Sequence, residues 1–191
     1  MFLQYIGSTE MIKERLWVFD QGGPLTGGMV QRDTDFVPGL FKIFDEILVN
    51  AADNKQRDAN MDSIDVEIDV AEGSISVKNN GNAVPVKMHA EEKVYVPELI
   101  FGHLLTGSNF SDSDKKTTGG RNGYGAKLAN IFSTEFIVET NDGKGGLKYK
   151  QTFTENMSVK GKPKVGPATI NHFCRFCVGV CACARAFLGC R

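Results

Sequence analysis

Apolar positions recur at helical spacing in the stretch that opens at Pro38 and Gly39. Leu40, Phe41, Ile43, Phe44, Ile47, Leu48 and Ala51 follow the i, i+3, i+4, i+7 rule, which predicts a long helix with one broad apolar face. Val94, Val96, Leu99, Ile100, Leu104 and Leu105 predict a helix within 93–105 around Pro97, and Ala126, Leu128, Ala129, Ile131 and Phe132 predict a third. Elsewhere the period changes to two. Ile64, Val66, Ile68 and Val70 alternate with polar residues, Ala71-Glu72-Gly73 turns the chain, and Ile75 and Val77 alternate back, which predicts a β-hairpin. Glu135–Thr140 and Leu147–Phe153 predict a second hairpin across the Asn, Asp and Gly run from Asn141 to Gly146. Met11–Phe19 is a strand or edge segment before a glycine-rich loop at Gly22–Gly28.

A chain of 191 residues, 41% hydrophobic and 24% charged, is long enough for one domain with its own core. Its net charge of -1 gives no electrostatic reason for this piece to hold nucleic acid by itself. No apolar run approaches the roughly 20 residues that a bilayer crossing needs. Met1–Gln4 lacks the basic-then-apolar start of a secretory signal, so a soluble intracellular protein is expected. All five cysteines, Cys174, Cys177, Cys181, Cys183 and Cys190, lie at one end, so the body of the chain reads as a reduced-compartment protein. With His172 they could hold zinc, but the spacing fits no standard paired-ligand module.

Candidate chemistry concentrates in two places. The first is Gly119-Gly120-Arg121-Asn122-Gly123-Tyr124-Gly125-Ala126-Lys127, running straight into the third helix. Glycines let a ligand approach the main chain, and a loop feeding a helix aims backbone N–H groups at one point. Arg121 and Lys127 add positive charge, so the stretch suits a polyphosphate; the alternative is a glycine-rich surface turn. It is neither a Walker P-loop, since Ala126-Lys127 follows Gly125, nor a dinucleotide fingerprint, which needs a further glycine. The polar run Ser111–Thr118 before it reads as a lid. The second place is the long helix, where Glu46, Asn50 and Asp53 lie at i, i+4 and i+7 with Asn54 beside them. That line is either a solvated polar edge or one wall of a site. Asn79-Asn80-Gly81-Asn82 closes a strand in a loop whose side chains can meet a ligand or their own backbone.

Taken in order, Phe44–Asn54, Asn79-Asn80-Gly81 and Gly119–Lys127 resemble the gyrase, heat-shock chaperone, histidine kinase and MutL ATPase superfamily. Tyr5-Ile6-Gly7-Ser8, Phe36-Val37-Pro38-Gly39-Leu40, Lys55-Gln56-Arg57-Asp58 and Thr118–Lys127 narrow the resemblance to the N-terminal ATPase region of eukaryotic type IIA DNA topoisomerases, over about residues 5–160. The resemblance implies an α+β two-layer sandwich, with helices on one face of a mixed sheet and ATP between the layers. It implies that Glu46 polarises the attacking water, that Asn50 holds Mg²⁺, and that Asn79 bonds the adenine. Gly107, Ser108 and Asn109 match ribose and phosphate contacts. Gly120, Arg121, Asn122, Gly123, Tyr124, Gly125, Ala126 and Lys127 match the loop that covers the phosphates. In the complete family enzyme ATP drives passage of one DNA duplex through another, in a nuclear homodimer.

Three departures qualify the resemblance. Ala83 stands where the family usually has a second glycine. Met1–Gln4 replaces the arm that reaches the partner subunit, which puts dimerisation in doubt. The match fades near Lys160–Val165. The expected organisation is therefore a partial ATPase domain over 1–165, incomplete at its C-terminal end, and a Cys-rich, disordered tail outside the family over 166–191. The competing readings are a non-catalytic truncated product and another ATPase of the superfamily; the Gly-Arg-Asn-Gly-Tyr-Gly-Ala-Lys stretch disfavours the last.

Overall fold

The computed structural model describes residues 5–22, 27–104, 124–142, 144–168 and 173–180. The chain divides into two compact units, Met1–Lys42 and Ile43–Arg191. The first is built on an antiparallel ribbon of β1 (Ile12–Asp20) and β2 (Gly28–Phe36), with Trp17 opposite Gln31 and Phe19 opposite Met29. The β1 segment matches the expected strand; the pairing with β2 was not read from the sequence. The same unit holds the first turn of α1 (Pro38–Arg57), entered through Pro38 at a position where a missing N–H costs nothing. Gly39 sits so close to Ser8 that its N–H donates to the Ser8 carbonyl at 2.8 Å, and an added Cβ would lie 3.0 Å from that oxygen.

The second unit contains the rest of α1 and one sheet in the order β3-β4-β9-β5-β6-β7, with β8 also pairing β6. The strands are β3 (Ile64–Asp69), β4 (Ser74–Asn80), β5 (Ser133–Asp142), β6 (Leu147–Thr154), β7 (Val159–Lys160), β8 (Lys164–Pro167) and β9 (Phe173–Val180). Within the expected two-layer α+β architecture, each described pairing takes the antiparallel form. Both expected hairpins are present. In the first, Gly73 takes φ of 62° at the turn. In the second, Asp142 pairs Leu147 and its Oδ1 accepts the Gly145 N–H at 3.0 Å.

Alternation sorts the strands into two faces. Phe136, Val138 and Thr140 stand opposite Phe153, Gln151 and Tyr149, and all six are at most 2% exposed. The short helices α2 (Val96–Gly102) and α3 (Gly125–Ile131) cover this face. Phe101 meets Phe136 with ring centroids 6.4 Å apart, Tyr95 meets Tyr149 at 5.7 Å, and Gly102 lies so near the Phe153 ring that a Cβ would come within 2.6 Å of it. Leu128 and Ala129 of α3 are buried, as their spacing predicted, as are Ile43, Ile47 and Ala51 of α1. Phe41, placed on the same apolar face by periodicity, is 62% exposed. It lies at the wing of that face and packs edge-on against Phe36 at 6.4 Å.

The tail requires a correction. Residues 166–191 were expected to be disordered and outside the domain, yet within the described part of that stretch β9 lies between β4 and β5, in the interior of the sheet. Cys174 is 5% exposed, its Sγ accepts the Val84 N–H at 3.4 Å, and it lies 3.4 Å from Thr140 Oγ1. Burial raises its thiol pKa, against weaker lowering by those hydrogen bonds. The physical reason is the vacant slot: β4 and β5 each have an edge to satisfy, and an unpaired inner edge is costly. Among the described residues no three His, Cys, Asp or Glu side chains gather as a metal site. Cys181, Cys183, Cys190 and His172 lie outside the described residues.

Candidate functional site

Helix α1 is the spine of the site. Its polar line runs from Glu46 through Asn50 to Asn54, about 12 Å at 1.5 Å per residue. Lys55 and Arg57 in the last turn suit the helix dipole, and Lys55 Nζ ties down the following chain through the carbonyls of Ala59 at 2.7 Å and Met61 at 2.6 Å.

At one end of the line, Glu46 meets the start of α3. An ideal Cβ on Gly125 would overlap Glu46 Oε2 outright and lie 2.8 Å from the carboxylate carbon. A side chain there would displace the Glu46 carboxylate from this position. Glu46 is 9% exposed. One turn on, Asn50 Nδ2 donates to the Glu46 carbonyl at 2.7 Å. That bond uses the donor end of the amide and turns the acceptor, Oδ1, away from the helix backbone. The α3 N-cap, Tyr124, provides no side-chain cap to the first-turn N–H groups. Lys127, in that first turn, is 2% exposed, and burial pushes its ammonium down to about 8.

At the other end, the chain leaving α1 pins the loop after β4. Asp58 Oδ2 accepts the Asn82 N–H at 2.8 Å, and Asn54 Nδ2 donates to the Asn82 carbonyl at 3.1 Å, so both backbone groups of Asn82 are held. The Asn60 N–H, at 3.1 Å from Oδ1, is the largest cause of a lowered Asp58 pKa; burial opposes it and the Asn82 N–H adds to it. Gly81 has φ of 96°, and a Cβ there would come within 2.8 Å of Met61 Cβ, so the turn demands glycine. Asn80 Oδ1 accepts the N–H groups of Asp62 and Ser63, both at 3.0 Å, while its Nδ2 donates to Asp62 Oδ1 at 2.6 Å. Asn79 is 3% exposed, and its Nδ2 donates to the Asn80 carbonyl at 2.8 Å. Ala83 is not among the non-glycine residues with positive φ, so alanine in place of the family's glycine meets no positive-φ strain.

Of the sequence candidates, Glu46 and Gly125 are thus brought together, with Asn50, Ala126 and Lys127 on the same two helices and Asn79 on β4. Gly107, Ser108, Asn109, Gly120, Arg121, Asn122 and Gly123, and the expected lid at 111–118, lie outside the described residues. Asp58 was missed as a site-building residue. Its signal was its four-residue spacing from Asn54 and its place at the end of Lys55-Gln56-Arg57-Asp58.

Comparison with known proteins adds the following. The model of the histidine kinase-, DNA gyrase B- and HSP90-like ATPase family matches residues 37–157. The chain is 63% identical over 161 residues to DNA topoisomerase 2 of Arabidopsis thaliana, covering 84% of this chain and 11% of that protein's length. The fold matches the crystal structure of the ATPase region of Saccharomyces cerevisiae topoisomerase II with a TM-score of 0.88 and 49% identity, over 97% of this chain and 48% of that one. The ATPase and transducer domains of DNA topoisomerase II from Balamuthia mandrillaris give 0.88 and 48%, over 95% of this chain and 46% of that one.

Proposed function

This chain belongs to the histidine kinase-, DNA gyrase B- and HSP90-like ATPase family, and from that premise we propose that it binds ATP along α1 and hydrolyses it as part of the ATPase region of a DNA topoisomerase II. The observation that carries the reading is the seating of the Glu46 carboxylate against Gly125. A general base must stand within reach of the proton it takes, and a carboxylate beside the uncapped start of α3 supports that reading.

Glu46 orients the attacking water and takes its proton. Asn50 fits Mg²⁺ by its chemistry: Oδ1 is a hard oxygen, and Mg²⁺ is satisfied by one or two protein ligands with water and phosphate oxygens completing its shell. When bound, the metal supplies charge neutralisation on those oxygens. Lys127 binds phosphate as a point charge, and the loop Gly120–Lys127 covers the triphosphate. Asn79 bonds the adenine, in a loop whose shape Asp58 and Asn54 hold; Gly107, Ser108 and Asn109 contact ribose and phosphate. In the complete enzyme the substrate is DNA, the working unit is a homodimer, and the compartment is the nucleus. Among the described residues no helix is long and apolar enough to cross a membrane.

Thermal unfolding with Mg²⁺ and a non-hydrolysable ATP analogue tests binding. At 100 times Kd the native state gains about 2.7 kcal/mol, so the midpoint rises. A cooperative transition that ignores the ligand would favour the non-catalytic reading. Glu46→Gln then tests the chemistry: analogue binding should persist while hydrolysis falls roughly 10²–10⁴-fold. Loss of both would reassign Glu46 to structure.

A further inference from the structure

The sheet face turned away from α2 and α3 carries a second concavity. Strand registers place Glu139 and Asn141 of β5, Lys148 and Lys150 of β6, and Lys164 of β8 on or beside one patch. With Phe173 of β9 these residues line a cavity of about 450 Å³, within the size range of small-molecule sites. Its charge is one-sided, three lysines against one glutamate. Glu139 is spoken for, since its Oε1 lies 2.5 Å from Lys150 Nζ. Among the described residues Lys148 and Lys164 have no ion-pair partner, and Lys164 stands directly opposite Lys150 in the β6–β8 register. Like charges directly opposite destabilise a strand pair. Glu139 offsets that repulsion at Lys150, which leaves Lys148 and Lys164 as the ammoniums that face an anion. Gly166 faces Lys148, leaving the rim low, and Asn141, 1% exposed, provides a buried amide in the lining. Phe173 gives an apolar wall; its ring already attracts Lys78 Nζ at 5.6 Å.

We infer that this cavity is a second anion site, on the opposite sheet face from α3 and its Lys127, and that it takes a small organic phosphate. Lys148 and Lys164 bind the phosphate, and the apolar part of the ligand lies on Phe173. The two ammoniums of Lys148 and Lys164 select charge, and the aromatic wall distinguishes an organic phosphate from the bare ion.

Phenyl phosphate is the probe, titrated into the full chain with Mg²⁺ and a saturating non-hydrolysable ATP analogue holding the first site, and followed by amide chemical shifts. Saturable shifts confined to β5, β6, β8 and β9, stronger than those given by inorganic phosphate or phenol, are expected. Lys148→Gln with Lys164→Gln should weaken binding about tenfold or more, as loss of charge-assisted hydrogen bonds does. The same variant should leave analogue affinity unchanged. Removing equal charge elsewhere, with Lys13→Gln and Lys160→Gln, should change little. Equal weakening by both double variants would overturn the site in favour of general electrostatics. Shifts that appear only with duplex DNA would overturn the small-ligand assignment.

Discussion

The two ends of the polar line on α1 are built in opposite ways. At the Asp58 end, hydrogen bonds hold the loop: Asn82 is held at both backbone groups, and Asn80 clips the chain before β3 to the end of β4. At the Glu46 end the fit is steric, a carboxylate filling the space a missing Cβ leaves, beside a helix start with no side-chain cap. The difference suits the proposed assignment of the base to one end and the triphosphate to the other. Recognition of a flat base rewards a preformed loop, because ordering it on binding would cost affinity. In the same reading, a triphosphate brings its own charge and acceptors to the start of α3.

Substitutions can break that contrast. The largest effect should come from Gly125→Ala. Its Cβ displaces the Glu46 carboxylate from its place beside α3, so hydrolysis should fall roughly 10²–10⁴-fold, with about 1–3 kcal/mol of stability lost to overpacking. Adding Glu46→Ala should recover much of that stability and none of the hydrolysis; urea denaturation with a turnover assay reads both, and failure to recover would mean the clash lies elsewhere.

Lys127→Met should do the reverse, raising stability and lowering affinity. The folded pKa of about 8 lies below the ordinary 10.5, a cost to the nucleotide-free fold of ~3 kcal/mol at neutral pH. The unfolded chain binds the extra proton between those two values, so wild-type stability should climb as pH rises from about 8 to about 10.5. Chemical denaturation across that window should show the climb, and Lys127→Met should abolish it. Phosphate beside Lys127 raises its pKa, so nucleotide binding should take up protons above pH 8, which calorimetry in buffers of different ionisation enthalpy detects.

Asp58→Asn probes the hydrogen-bonded end. An amide cannot accept from both Asn60 and Asn82, so the unfolding midpoint should drop and nucleotide affinity fall a few-fold with turnover of bound ATP unchanged. Because the folded pKa of Asp58 is lowered, its contribution is present above the ordinary carboxylate pKa and lost as pH falls through the folded value. A pH–stability profile that Asp58→Asn leaves unaltered in the acid range would argue against that role. The smallest effect belongs to Ala83→Gly. Without positive φ at Ala83, glycine relieves no strain and should cost under about 1 kcal/mol through unfolded-state entropy. A gain in the unfolding midpoint would show strain at that position after all.

Much of the site was legible. Glu46 and Asn50 share a helix by spacing, and the glycine run is a local pattern that precedes α3. Two features were not. The composition of the tail, cysteines without acids, masks the alternation of Cys174, Phe176, Val178 and Val180 within it. Asp58 shares a four-residue spacing with Asn54, but only the position of Asn82 turns that spacing into a loop-pinning role.

By itself the sequence determined the helices, the two hairpins and which residues share an edge of α1, because periods of 3.6 and 2 are properties of neighbouring residues. It also carried the family resemblance, in motifs long enough to be specific. Only the tertiary structure decided that Gly125 is the residue Glu46 needs, that Asp58 holds Asn82, and that β9 closes the gap between β4 and β5. Each of these joins residues far apart in the chain. Such contacts are selected by which edge, donor or volume remains unsatisfied once the local elements have formed, and no local pattern records that choice.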